Sequence, residues 1–118
     1  MEHTYKGHNI FLAPNQKVFF VEKTESNKEN PYTIINQNAL RKAMNILGVG
    51  YKTPAPFIMW CYLAKNKPNT PLFLSSAAFE NYTGLSRKSY DHALKVLIEK
   101  GYIKNDKKSV YIFNEAGF

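Results

Sequence analysis

Cysteine is nearly absent from this chain. Cys61 is the single one among 118 residues, so no disulfide can close within the chain and no multi-cysteine zinc site can form. Histidine is scarce too, limited to His3, His8 and His92. No H-E-x-x-H, glycine-rich phosphate loop, nucleophile elbow or paired carboxylate motif occurs, so the sequence gives catalysis no footing and calls for no cofactor or metal. No apolar run approaches the roughly 18–20 residues that span a bilayer. The polar start, Met1-Glu2-His3-Thr4-Tyr5-Lys6, has no apolar signal segment behind it. The expectation is a non-enzymatic protein, without membrane attachment, in a reducing cytosol.

Acidic residues are in deficit. Sixteen Lys and Arg face nine Asp and Glu, a formal charge of +7 that favours polyanionic partners. Only Arg41 and Arg87 are arginines, and the excess is spread along the chain except at 86–108. There Arg87, Lys88, Lys95, Lys100, Lys104, Lys107 and Lys108 face Asp91, Glu99 and Asp106.

The first half alternates short apolar runs with polar ones. Residues 1–9 are expected to fray. Ile10–Leu12 and Lys17–Val21 read as two strands around a turn, and Tyr32–Ile35 as a third. Asn36 or Asn38 can cap a helix with Leu40, Ala43, Met44 and Leu47 on one face, stopped by Gly48.

The second half is better punctuated. Thr53, Pro54 and Pro56 open a helix from Phe57 to about Asn66. Leu72–Leu74 suits a short strand, and Ser75 or Ser76 opens a short helix closed by Gly84. Ser86 caps the next helix, with an apolar stripe of Tyr90, Ala93, Leu94, Leu97 and Ile98. Tyr102–Lys104, a turn at Asn105–Lys108, and Val110–Phe113 form a hairpin. Trp60, Tyr82 and Tyr90 are assigned to packing, and Cys61 to a small buried hydrophobe.

Helix, strand, short helix, glycine turn, longer helix and basic hairpin is the order of a winged helix-turn-helix. Residues 79–90 (Phe-Glu-Asn-Tyr-Thr-Gly-Leu-Ser-Arg-Lys-Ser-Tyr) and 94–103 resemble the winged helix-turn-helix domains of bacterial phage and plasmid replication proteins. The resemblance covers about half of the chain. It implies an α+β winged helix-turn-helix over 54–118, with 1–53 as an N-terminal β-strand and short-helix extension packed on the same domain. It also implies double-stranded DNA as partner, bound through Ser86, Arg87, Lys88, Ser89 and His92 and through the hairpin turn with Lys104, Lys107 and Lys108. Lys95 lies on the same outward face, as does Asp91, where an arginine would often face DNA; Asp91 can accept from a cytosine amine or pair with Arg87 at i+4.

The work implied is replication initiation or transcription regulation by recruiting other proteins, with residues 1–53 available for a homodimer contact. The competing reading is a winged helix used as a protein-interaction module without DNA, and a third is a structural protein of a phage or mobile element on the same scaffold.

Overall fold

The computed structural model describes residues 2–5, 8–11, 17–22, 35–66 and 71–118. They form an α+β architecture of four helices, a four-stranded sheet and a two-stranded one. Strand β1 (Glu2–Tyr5) pairs antiparallel with β2 (His8–Phe11), Glu2 opposite Phe11 and Tyr5 opposite His8. The expectation of a frayed start is therefore corrected. Thr4, Tyr5, Ile10 and Phe11 are β-formers, and Lys6-Gly7 between the runs is a separation short enough for local pairing.

Strand β3 (Lys17–Glu22) does not pair with the Ile10–Leu12 run either. Val18, Phe19, Phe20 and Val21 are all fully buried, an unbroken apolar run of the kind that suits a strand covered on both faces. Phe19 and Val21 point into the main core, while Val18 and Phe20 join Val110 in a second cluster across the sheet. The expected strand at 32–34 lies outside the described residues, and Ile35 sits in no element but packs against the core.

Helix α1 (Gln37–Leu47) is capped by Asn36, whose Oδ1 accepts from the Ala39 N–H at 3.0 Å. It buries Ala39, Ala43 and Leu47 and leaves Met44 half exposed, so its packed face is turned from the one the apolar spacing predicts. Helix α2 (Ala55–Ala64) begins two residues earlier than predicted, because the Thr53 hydroxyl accepts from the Ala55 N–H at 3.2 Å and Pro54 and Pro56 fit a first turn. Seven of its ten residues are buried, which makes it the central helix, with α1 and the last helix against it. Trp60 lies stacked on Phe57, and its Nε1 donates to the Glu115 carbonyl at 3.2 Å.

Strand β4 (Leu72–Leu74) leads into α3 (Ser76–Thr83), whose cap is Ser75: its hydroxyl accepts from the Ala78 N–H at 3.2 Å. Gly84 ends α3 at φ +80°, a left-handed conformation that a side chain would strain. Helix α4 (Arg87–Glu99) follows after Leu85-Ser86. It buries Tyr90, Ala93, Leu94, Val96 and Leu97. The predicted stripe thus holds through Leu97 and gains Val96, since α4 packs on both α2 and α3, whereas Ile98 is 42% exposed.

Strands β5 (Ile103–Lys107) and β6 (Val110–Asn114) close the hairpin. Its turn is tighter than predicted, confined to Lys108-Ser109 with Ser109 at φ 62°, and the register is irregular between Asn105 and Lys107. The sheet order is β4-β3-β6-β5, with β3 antiparallel to β4 and parallel to β6. The N-terminal strand thus lies between the strand that enters α3 and the hairpin that follows α4. Among the described residues no helix is long and apolar enough to cross a membrane.

Candidate functional site

The N-terminal half of α4 supplies the frame. Ser86 precedes the helix with extended backbone, and its hydroxyl accepts from the Ser89 N–H at 3.2 Å. Its oxygen also lies 3.4 Å from the Ser89 hydroxyl. Both serines are therefore engaged in starting the helix, and Ser89 is half-buried. Arg87, Lys88, Asp91, His92 and Lys95 are exposed, with Lys88, His92 and Lys95 opposite the Tyr90/Leu94/Leu97 stripe and Arg87 and Asp91 along one flank of it. Arg87 Nε and Asp91 Oδ2 are 4.0 Å apart, with both side chains mostly in solvent. Such a pair is loose, worth about 1 kcal/mol at most.

Two depressions flank this face. One is an open cleft of about 580 Å³ between the segment before α2 and the start of α4, with Tyr51, Lys52, Thr53, Lys88 and His92 among its walls. The Tyr51 and His92 rings meet edge-on, 6.2 Å between centroids. The other, of about 370 Å³, lies between Lys17 at the start of β3, Ser76 and Ala77 at the start of α3, and Arg87, Tyr90 and Asp91 of α4. The hairpin turn adjoins it, since the Val18 N–H donates to the Ser109 carbonyl at 3.1 Å. Lys107 and Lys108 are exposed at that turn.

Arg87 and Lys88 thus line one depression each, beside two cations that sequence reasoning missed, Lys17 with Arg87 and Lys52 with Lys88, while Lys95, Lys107 and Lys108 are exposed. Nothing local in the sequence marks Lys17 or Lys52. Lys17 arrives because β3 pairs with β4 and β6, and Lys52 because the segment after Gly48 passes beside α4. Lys104 is exposed on β5. It lies towards the base of the hairpin, opposite Ile112, with its ammonium 4.6 Å from the centre of the Phe118 ring. Asp106 is exposed on the same hairpin, so the surface is mixed rather than purely basic.

Packing assignments divide similarly. Tyr90 is buried, its ring 5.6 Å from that of Phe79. Burial, with the Asp91 carboxylate and then Tyr111 nearby, pushes its phenol up to about 12. Tyr82 corrects the expectation of a core side chain. It is 64% exposed, its ring edge-on to Tyr62, with the Lys65 ammonium 4.7 Å above it. It faces out because α3 is short and turns only Phe79 fully inward. Cys61 is half-buried, and burial raises its thiol, the opposite of what a nucleophile needs. Among the described residues no group of His, Cys, Asp or Glu could hold a metal ion. No protein-family model, curated protein or solved structure matches this chain.

Proposed function

We propose that this protein is a non-catalytic, winged-helix DNA-binding domain that docks α4 in the major groove of a duplex and lays the β5–β6 hairpin along the adjacent phosphates. In this reading α3, Gly84 and α4 are the helix-turn-helix, and β3 is a strand added to the winged-helix sheet. The observation that carries the reading is the convergence of cations from four separate chain segments beside the exposed start of α4. Lys17, Lys52, and Arg87 with Lys88 line the two depressions there, and the fourth segment, the exposed Lys107-Lys108 turn, is tied to the strand of Lys17 by the Val18–Ser109 hydrogen bond. Packing alone does not require separate segments to place like charges together, and a polyanion compensates them. The outward face of α4 offers His92 and Lys88 to base edges, while the hairpin turn offers ammonium groups to the backbone.

Binding to a short duplex should weaken steeply with salt, with log affinity falling against log salt at about −0.9 per neutralised phosphate, for about three to five contacts. Replacing Lys107 and Lys108 together with Ala should weaken binding to all sequences alike and flatten that slope by about 2. Fluorescence anisotropy across a potassium chloride series reads both quantities. Binding that is absent or insensitive to salt, in a folded protein, would transfer the surface to a protein partner.

Lys88 and His92 carry a different expectation. Alanine at either should change preference at one base position by about 1–3 kcal/mol, whereas phosphate contacts leave preference untouched. Competition between a preferred duplex and its single-site variants measures this. Equal losses on every variant would reduce both residues to backbone contacts.

A further inference from the structure

The depression between β3, α3 and α4 contributes Lys17 and Arg87 to the basic surface described above, and the rest of its lining has a chemistry of its own. A helix leaves its first N–H groups without intrahelical acceptors. In α3 the Ala78 N–H is taken by the Ser75 hydroxyl and the Phe79 N–H by the Ser75 carbonyl. The N–H groups of Ser76 and Ala77 remain at the helix start, and both residues line the depression. The partial positive charge of the helix N-terminus favours an anion there.

A second, independent feature lies in its wall. Tyr90 is 2% exposed, and its hydroxyl is buried without a hydrogen-bond partner. A buried hydroxyl left unpaired costs free energy that a ligand oxygen would recover. Lys17 and Arg87 complete the lining with one cation from each side. Among the described residues Arg87 makes one loose contact, with Asp91, so its guanidinium can turn towards a stronger acceptor.

Asp91 also borders the depression and repels any anion in it. That carboxylate disfavours capture of a free anion. A phosphodiester already held in place by neighbouring contacts can still enter, because its ordering has been met elsewhere.

We propose that this depression seats one backbone phosphodiester of bound nucleic acid, received by the Ser76 and Ala77 N–H groups, the Tyr90 hydroxyl and the side chains of Lys17 and Arg87. The inference rests on the duplex-binding reading and extends it to a site that β3, outside the helix-turn-helix, helps to build.

The test is anisotropy of a fluorescent duplex with the full chain and its variants over a potassium chloride series. Lys17→Ala should weaken binding about three- to tenfold and flatten the salt slope by about 1, without changing relative preference between two duplex sequences. Tyr90→Phe should weaken binding while thermal unfolding stays at or above that of the parent, which separates a ligand contact from a structural one. Lys100→Ala, exposed at the far end of α4, should leave affinity and slope unchanged.

A Lys17→Ala slope equal to that of the parent, with duplex binding retained, overturns the phosphate seat and leaves the duplex reading standing. Absence of salt-dependent binding by the parent protein overturns the duplex reading itself. Displacement of duplex by inorganic phosphate, beyond the effect of chloride at matched ionic strength, overturns the backbone assignment in favour of a free anion.

Discussion

Phe19→Ala should destabilise the protein by about 3–5 kcal/mol, a large part of the 5–15 kcal/mol that holds a domain of this kind together. The side chain is fully buried and stacks on Tyr111 with 5.4 Å between ring centroids. Its removal leaves a cavity in the main core, on the strand that lies between β4 and β6. Neither neighbour can close the gap without breaking a ladder, because β3 is paired on both edges. Urea unfolding should show a lower midpoint at an unchanged dependence on denaturant.

Phe73→Ala is the matched control. Phe73 sits in β4 opposite Val18 and is 39% exposed, so its loss should cost well under half as much. A Phe19→Ala cost below about 1 kcal/mol would mean that β3 is not a working part of the core. The consequence for the site is direct. β3 carries Lys17 and holds the hairpin turn through the Val18–Ser109 hydrogen bond, so loosening it should also weaken binding of any polyanion to that surface.

The elements around the site could be read from the sequence where their signals are local. Asn36, Ser75 and Ser86 each cap a helix within three residues of themselves, Thr53 accepts from Ala55 just ahead of α2, and Gly84 is required by a left-handed turn at its own position. The outward face of α4 follows from the 3.6-residue period of Tyr90, Ala93, Leu94 and Leu97, so Lys88, Asp91, His92 and Lys95 could be placed on it without coordinates.

What escaped the sequence was decided at long range. The unbroken run Val18–Val21 says that the segment is apolar, but not that it will enter between β4 and β6, 92 residues away in the second case, where Val18 lies opposite Val110. Parallel pairing leaves no hairpin turn to announce it. Lys17 therefore reads in the sequence like any solvated lysine, and the contact of Lys104 with the Phe118 ring, fourteen residues on, has no local signal either. Tyr82 misled for a related reason. An aromatic residue in a short helix resembles core, and only the docking of α3 on α2 and α4 decides which ring turns inward, here Phe79.

Alkaline pH should unfold the protein over a window set by its buried tyrosines. The phenol of Tyr90 is pushed up to about 12, first by burial and then by the Asp91 carboxylate beside it. Tyr62 and Tyr102 are also raised, Tyr62 by burial and by Tyr82, and Tyr102 by burial alone. In the unfolded chain a tyrosine ionises near its ordinary value of about 10. Below that pH both states keep the proton, and these groups make stability independent of pH. Between about 10 and 12 the unfolded chain releases protons that the folded one retains, so stability falls as pH rises, by about 2 kcal/mol for Tyr90.

Tyr90→Phe removes that proton and should be at least as stable as the parent at pH 8, with its margin larger by about 2 kcal/mol near pH 12. Urea unfolding of both proteins at the two pH values measures the difference, and deprotonation of the lysines, common to both, cancels from it. An advantage for Tyr90→Phe that does not grow with pH would show that the hydroxyl ionises freely in the folded state. The wall of the α3–α4 depression would then be open to water, contrary to the burial of Tyr90 on which that pocket is built.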